Sequence, residues 1–286
     1  MLESAAPALF SAFVWWFSTG IVLYLDGLPQ HTFRWSLLGS TVLMGVGFLG
    51  LYNVADDQTA TGAYAGFFYG MLIWGWLELS YYTGHVTGPR KIACEPGCSG
   101  WRHFGHALET SLYHEAAIVI ALLIVLALTW DQPNRVGLWT LLLVFGMHES
   151  ARLNVFLGVR NLNADWLPPH LSYLRGFLRK RSMNPLFPIS ITIGTTLTVL
   201  LVRGTLANET GSFEAVSMAL LATLSGLAMF EHCLMILPLP TNWMWRWGLG
   251  NRAPAESASA GQSISAASSQ SPPPTSIEAR VVGHSV

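Results

Sequence analysis

Seven long apolar stretches constrain this chain of 286 residues more than any other feature. They run over residues 6–25, 35–54, 62–82, 113–130, 136–157, 186–202 and 214–237. A helix rising about 1.5 Å per residue needs about 20 mostly apolar residues to cross the hydrocarbon of a bilayer. The stretches meet or approach that length, so the expected fold class is all-α: a polytopic membrane bundle of about seven transmembrane helices. Composition agrees. Hydrophobic residues make up 51% and charged residues 11%, against about 25% charged in soluble domains. Twelve tryptophans and eight tyrosines suit a protein whose aromatics gather at the lipid–water boundary. A formal net charge of −1 excludes the basic surface of a nucleic-acid binder. The first stretch has no basic leader and no small-residue cleavage site, so it reads as a span rather than a removable signal.

Lysine and arginine set the expected orientation. Seven spans alternate the loops between two faces. One face receives Arg34, then Arg90, Lys91 and Arg102, then Arg160, Arg175, Arg179, Lys180 and Arg181, and finally Arg246, Arg252 and Arg280. The other receives Arg135 and Arg203 at span ends, with the acids Glu3, Asp56, Asp57, Asp131 and Glu209. Basic loops stay in the cytoplasm, which puts the N-terminus outside and the C-terminus inside. The expected organisation is a transmembrane domain over residues 1–249 and a tail over 250–286. Ser, Ala, Gln and Pro dominate that tail, around Pro272-Pro273-Pro274, and such a composition reads as disordered. Near 166–181, Leu171, Leu174, Phe177 and Leu178 share a helical face bordered by Arg175, Arg179, Lys180 and Arg181. This segment reads as an amphipathic helix on the inner leaflet, with membrane lipid as its partner.

The third stretch carries Gly62, Gly66 and Gly70 at four-residue spacing, a seam that lets two backbones approach closely. Glu78 follows two turns later, about 80° around the helix from Gly70 at roughly 100° per residue, which aims it into the bundle.

Acids and imidazoles inside these stretches are the candidate site. Glu78, His114-Glu115, His148-Glu149 and Glu231-His232 all fall in the expected cytoplasmic half of the bilayer. A charge at the bilayer centre costs about 2.5–3.5 kcal/mol on insertion scales, so such residues mark function by default. Four roles are open to them. They can bond one another across helices, as Arg152 can bond Glu149 three residues away. They can ligate a metal, or the magnesium of a chlorophyll-type pigment. They can form a di-iron carboxylate site, although Glu-x-x-His spacing is the usual pattern there and adjacent Glu and His diverge by about 100°. They can also carry protons.

His103 and His106, beside Arg102 and Trp101, lie three apart and can share an ion on a helix or sit at headgroup level. Only two of a usual four ligands are visible there. Cys94 and Cys98 flank Glu-Pro-Gly. They read as two reduced thiols at a tight turn, since no second knuckle accompanies them. No phosphate loop, dinucleotide fingerprint, nucleophile elbow or His-Glu-x-x-His motif is present.

Several blocks resemble the photosynthetic complex assembly protein 2 (PuhE) family of purple bacteria. They are Phe13-Val14-Trp15-Trp16-Phe17-Ser18-Thr19-Gly20 with Tyr24-Leu25-Asp26-Gly27-Leu28-Pro29, Thr32-Phe33-Arg34-Trp35-Ser36 and Thr87-Gly88-Pro89-Arg90. Gly100-Trp101-Arg102-His103-Phe104-Gly105-His106 is another, as are Leu153-Asn154-Val155-Phe156-Leu157-Gly158-Val159 with Asn161-Leu162-Asn163, and Leu237-Pro238-Leu239-Pro240. The resemblance covers residues from about 5 to 249. It implies a multi-pass protein of the bacterial inner (intracytoplasmic) membrane. It also implies a role in building reaction-centre and light-harvesting complexes, or in controlling their bacteriochlorophyll supply. Photosynthetic complex subunits are the implied partners, and bacteriochlorophyll or a precursor is the candidate cofactor. The family carries no catalytic motif that transfers.

The expectation is therefore an assembly factor rather than an enzyme. Its candidate binding residues are Glu78, His114, Glu115, Glu231 and His232 in the bundle and Arg102, His103 and His106 at the inner surface, with no metal specified. The alternative is a membrane metalloenzyme of the tetrapyrrole pathway.

Overall fold

The computed structural model describes residues 2–95, 97–162, 167–237 and 244–249, and all that follows concerns these. The helices are α1 (Leu2–Asp26), α2 (Phe33–Asn53), α3 (Ala60–Tyr82), α4 (Gly100–Glu109), α5 (Leu112–Leu128), α6 (Val136–Leu157), α7 (Leu186–Ala207), α8 (Phe213–Leu234) and the short α9 (Arg246–Leu249). Each of the seven apolar stretches is a helix, α1 to α3 and α5 to α8, with ends within five residues of those expected. The largest difference is at α7, which runs past 202 to Ala207; the Asn208 side chain then bonds the Gly204 carbonyl at 2.8 Å. Side-chain caps start two of the helices. The Thr59 hydroxyl accepts from the Gly62 amide at 3.1 Å, and the Ser212 hydroxyl from the Ala215 amide at 3.2 Å. Each satisfies a backbone donor that the first turn leaves free.

Four helical segments, Ala5–Asp26, Gln30–Asn53 (the 3-10 turn Gln30–Thr32 running into α2), Leu186–Ala207 and Phe213–Leu234, are long and apolar enough to cross a membrane. A fifth span results if α4 and α5, bent by 61° at their junction, count as one. Seven spans were expected, and the reason for the lower count is physical. α5 alone has 17 residues. α3 and α6 have 23 and 22 residues, but glycines, acids and His148 dilute their apolarity.

That dilution follows from position. One apolar core joins Val14 of α1, Ala63, Phe67 and Met71 of α3, Val136 of α6, and Leu220 and Leu224 of α8. A second joins Leu51 of α2, Ile73 and Leu77 of α3, Ile118 and Val125 of α5, and Leu138 and Leu141 of α6. α3 and α6 serve both cores, so they meet protein on both sides. α2 and α7 are peripheral, with only 17% and 11% of their apolar windows buried, and they turn residues such as Leu38, Val42, Ile189 and Ile193 outward.

The glycine seam of α3 is used as expected. A Cβ on Gly66 would stand 3.3 Å from Val136 Cβ, and one on Gly70 would stand 3.0 Å from the Gly137 carbonyl oxygen. α3 and α6 therefore touch backbone to backbone. Buried asparagines fasten both ends of α6. Asn134 donates to the carbonyls of Val54, Asp57 and Gly62 at 2.9–3.1 Å. Asn184 donates to Asn154 and Gly158 carbonyls at 3.1 and 3.0 Å and accepts from the amides of Leu186 and Phe187.

The segment expected to be an amphipathic helix near 166–181 is a 3-10 helix, Pro169–Phe177. Its Leu171, Leu174 and Phe177 are buried against protein, so its apolar side is turned to the bundle. Residues 163–166 and the expected tail, 250–286, lie outside the described residues.

Candidate functional site

The polar residues of the helices meet at one end of the bundle, built from the last turns of α3 and α8, the start of α5 and the second half of α6. Adjacent Glu and His part company, as helical geometry requires. On α6, His148 turns to α3, where its Nδ1 lies 3.4 Å from Glu78 Oε1. Glu149 turns instead to Arg152, one turn on, at 3.0 Å. On α5, His114 faces Tyr81 and His148, with ring centroids at 4.7 and 5.7 Å. Its neighbour Glu115 pairs with Arg152. Arg152 also donates to the Ser111 hydroxyl at 2.6 Å. One guanidinium thus joins two carboxylates and a hydroxyl across the α5–α6 contact.

Each imidazole has a different standing. His232 is satisfied: its Nδ1 meets the Ala228 carbonyl at 2.8 Å and its Nε2 the Ser150 hydroxyl at 2.9 Å. His114 is 1% exposed, and neither ring nitrogen has a hydrogen-bond partner. His148 Nε2 is likewise buried without one. A buried polar atom left unpaired costs about 1–3 kcal/mol, so these nitrogens are a debit unless they bind something. One ligand atom each from Glu78, His114 and His148 lies within 4.8 Å of the others. Two imidazoles and a carboxylate form a donor set suited to several divalent transition metals.

Beside this cluster is a cavity of about 350 Å³, lined by Trp15, Trp74, Glu78, His148, Glu231 and Trp245 among others. It lies at the low end of the about 300–1,000 Å³ typical of small-molecule pockets. His148 can face a guest there. His114 is not part of the cavity wall, and its ring is covered by Tyr81 and His148. His232 lines the wall but has both nitrogens engaged. Of the expected bundle residues, Glu78 and Glu231 face the cavity, Glu115 belongs to the Arg152 network, and His148, a candidate by its place in an apolar stretch but left out of the expected binding set, is central. The signal for His148 was its helix, the one that also carries Glu149 and Arg152; its approach to Glu78 depends on how α3 and α6 pack.

The surface group does not assemble as one site. Arg102 pairs with Glu95 at 3.2 Å, both well exposed. His103 is buried and stacked between Phe156 and Phe177, with centroids at 5.4 and 5.3 Å. Of the two roles open to His103 and His106, sharing one ion does not fit this geometry, because the two rings turn to different neighbours. His106 instead meets Cys94 and Cys98, its Nδ1 lying 3.2 and 3.5 Å from their sulfurs. Partial burial, and then the neighbouring Cys98, push the Cys94 thiol above its ordinary pKa.

A family model described as "Protein of unknown function (DUF3623)" matches residues 1–256. The chain is similar to the "Uncharacterized 30.4 kDa protein in puhA 5'region" of Rhodobacter capsulatus. The two are 38% identical over 240 residues, which is 82% of this chain and 86% of the relative. No solved structure matches.

Proposed function

We propose that this chain, which belongs to the DUF3623 family, is an integral membrane assembly factor for the photosynthetic apparatus that holds a tetrapyrrole pigment as cargo in its inner-end cavity. The relative's name places it beside puhA, and the resemblance to the photosynthetic complex assembly protein 2 (PuhE) family supports the same role. Seven helices cross the inner membrane, with the N-terminus outside and the polar end of the bundle at the cytoplasmic leaflet. The observation that carries the reading is a single cavity faced by one imidazole with a buried, unpartnered nitrogen, His148, and by two acids, Glu78 and Glu231. Neutral imidazole would ligate a pigment's central metal, and a protonated carboxyl of Glu78 or Glu231 would donate a hydrogen bond to a carbonyl of its ring substituents. A tetrapyrrole ring with its substituents exceeds a cavity of this size, so loading must part the helices that wall it, with any tail left to lipid.

The test is an absorption spectrum of protein purified in mild detergent from pigment-replete membranes. Bound tetrapyrrole is expected, reduced by His148→Ala and by Glu231→Gln. Pigment-free protein would overturn the reading.

One observation favours a second reading. Glu78, His114 and His148 bring their ligand atoms within 4.8 Å, a two-histidine, one-carboxylate set of the kind that holds ferrous iron in oxygenases. A membrane metalloenzyme of the tetrapyrrole pathway accounts for that set. It requires a transition metal lost in Glu78→Gln and accumulation of a pathway intermediate in a deletion strain. The assembly reading requires normal pigment chemistry with scarce or misbuilt complexes.

A further inference from the structure

A second donor cluster lies away from the cavity, in the polar segment that joins α3 to α4. Cys94 and Cys98 come from the loop before α4, and His106 from the last turns of α4 itself. The loop is shaped to present both sulfurs together. The Cys98 amide bonds back to the Glu95 carbonyl at 3.1 Å, and Gly97 has φ +86°, a left-handed conformation that glycine adopts without strain. Arg90 strains no part of this turn but anchors the approach to it: its amide bonds the Glu109 carbonyl at 3.3 Å and its guanidinium lies 3.5 Å from the Glu109 carboxylate.

We propose that Cys94, Cys98 and His106 are three protein ligands of a zinc ion, with the fourth position open to water. The distances argue for this directly. Bonds of about 2.3 Å to sulfur and 2.0–2.1 Å to nitrogen at tetrahedral angles put sulfur and nitrogen about 3.6 Å apart. The two observed separations from His106 Nδ1 are 3.2 and 3.5 Å. Hydrogen bonding explains the arrangement less well, since one imidazole nitrogen has a single lone pair and can accept from one thiol at a time. Three residues between the cysteines fall within the usual zinc-knuckle spacing. Nitrogen and sulfur donors in a small tetrahedral set favour zinc over magnesium or calcium, which take oxygen. All three ligands are half-buried, which leaves the fourth position reachable from solvent.

The ion has a structural consequence for the packing of α4. It ties the loop to the end of α4 that leads into α5, the helix carrying His114. One turn earlier on α4, His103 is wedged between Phe156 of α6 and Phe177 of the 3-10 helix. Zinc thereby fixes the loop to α4 beside the contact that α4 makes with α6 and the 3-10 helix.

The experiment is metal analysis of the full-length chain purified in detergent under reducing conditions, followed by chelation and reconstitution with Co²⁺. Stoichiometric zinc is expected, together with a near-ultraviolet thiolate-to-cobalt band after exchange. Cys94→Ser, Cys98→Ser and His106→Gln should each lose the zinc and weaken the band, while Glu78→Gln and His114→Leu leave both intact. Should the cysteine variants fail to fold, cobalt reconstitution of the unmodified chain decides alone. Metal that depends on Glu78 or His114 instead, a Cys94–Cys98 disulfide in reduced preparations, or the absence of any thiolate–cobalt band would each overturn the proposal. None of these outcomes bears on pigment in the cavity, which is read by its own absorption.

Discussion

Arg152 of α6 donates to the Glu115 carboxylate of α5, and this pair is the hub of the polar end. The same guanidinium reaches Glu149 at 3.0 Å and Ser111 at 2.6 Å. Removing it strands two carboxylates in surroundings of low polarity. Breaking one side of a buried pair costs about 3–5 kcal/mol, and with side chains between a fifth and a third exposed the lower end applies. Arg152→Met is expected to lower the thermal midpoint in detergent markedly. Adding Glu115→Gln to it should recover part of the loss, because one stranded charge disappears. Additive losses in the double variant would mean that the two residues do not act together.

His114 offers a sharper separation of the two functional readings. Its ring is buried with both nitrogens unpartnered, which burdens the fold unless a ligand compensates. His114→Leu, close to it in volume, should therefore stabilise the protein by about 1–2 kcal/mol. If His148 serves a pigment in the cavity, that pigment stays. If His114 ligates a metal with Glu78 and His148, the metal leaves and any metal-dependent reaction stops. A thermal melt, an absorption spectrum and metal analysis of one variant give the answer. Destabilisation without loss of any ligand would contradict the account of its buried nitrogens.

The helices were legible because the bilayer imposes a length, and the glycine spacing of α3 announced a close helix contact without saying that α6 would make it. The Glu149–Arg152 bond was legible as well, since three residues apart on one helix are neighbours whatever the fold. Other features depend on contacts that no local pattern encodes. Cys94, Cys98 and His106 meet only because a loop folds back on α4. His103 and His106 share helical spacing, but the aromatic slot between Phe156 and Phe177 claims one of them. Leu171, Leu174 and Phe177 have a spacing that fits an α-helix on lipid equally well; only the 3-10 winding and the covering protein show where they turn. A length-and-apolarity criterion finds four or five spans where seven were expected, for a related reason. α3 and α6 are central, and central helices can carry polar groups that peripheral α2 and α7 cannot.

Asn184 predicts a different kind of failure. It links the end of α6 to the start of α7 through four hydrogen bonds and is 2% exposed. At a net of about 1 kcal/mol each, with unpaired carbonyls left behind, Asn184→Ala should cost about 2–4 kcal/mol. Hydrogen exchange read by mass spectrometry should rise at the Leu186 and Phe187 amides before it rises in α1 or α2. Uniform exchange would show that the asparagine is not a local clamp.

Gly88 and Gly105 make the final prediction, because the same substitution should have opposite signs at the two. A Cβ at Gly88 would lie 2.0 Å from the Glu109 carbonyl oxygen and 2.6 Å from the Thr110 carbonyl carbon. Backbone on both sides leaves nothing flexible to yield. Gly88→Ala must displace the strand of loop whose Thr87 carbonyl accepts from the His114 amide at 2.9 Å, and overpacking of this kind costs about 1–3 kcal/mol. A Cβ at Gly105, inside α4, meets nothing within 4 Å. Gly105→Ala removes backbone freedom from the unfolded chain and should stabilise by about 0.5–1 kcal/mol. Thermal melts of the two variants read the signs. Faster exchange of the His114 amide in Gly88→Ala alone would tie that loss to the strap over α5, whereas equal behaviour of both variants would show that the loop does not hold the start of that helix.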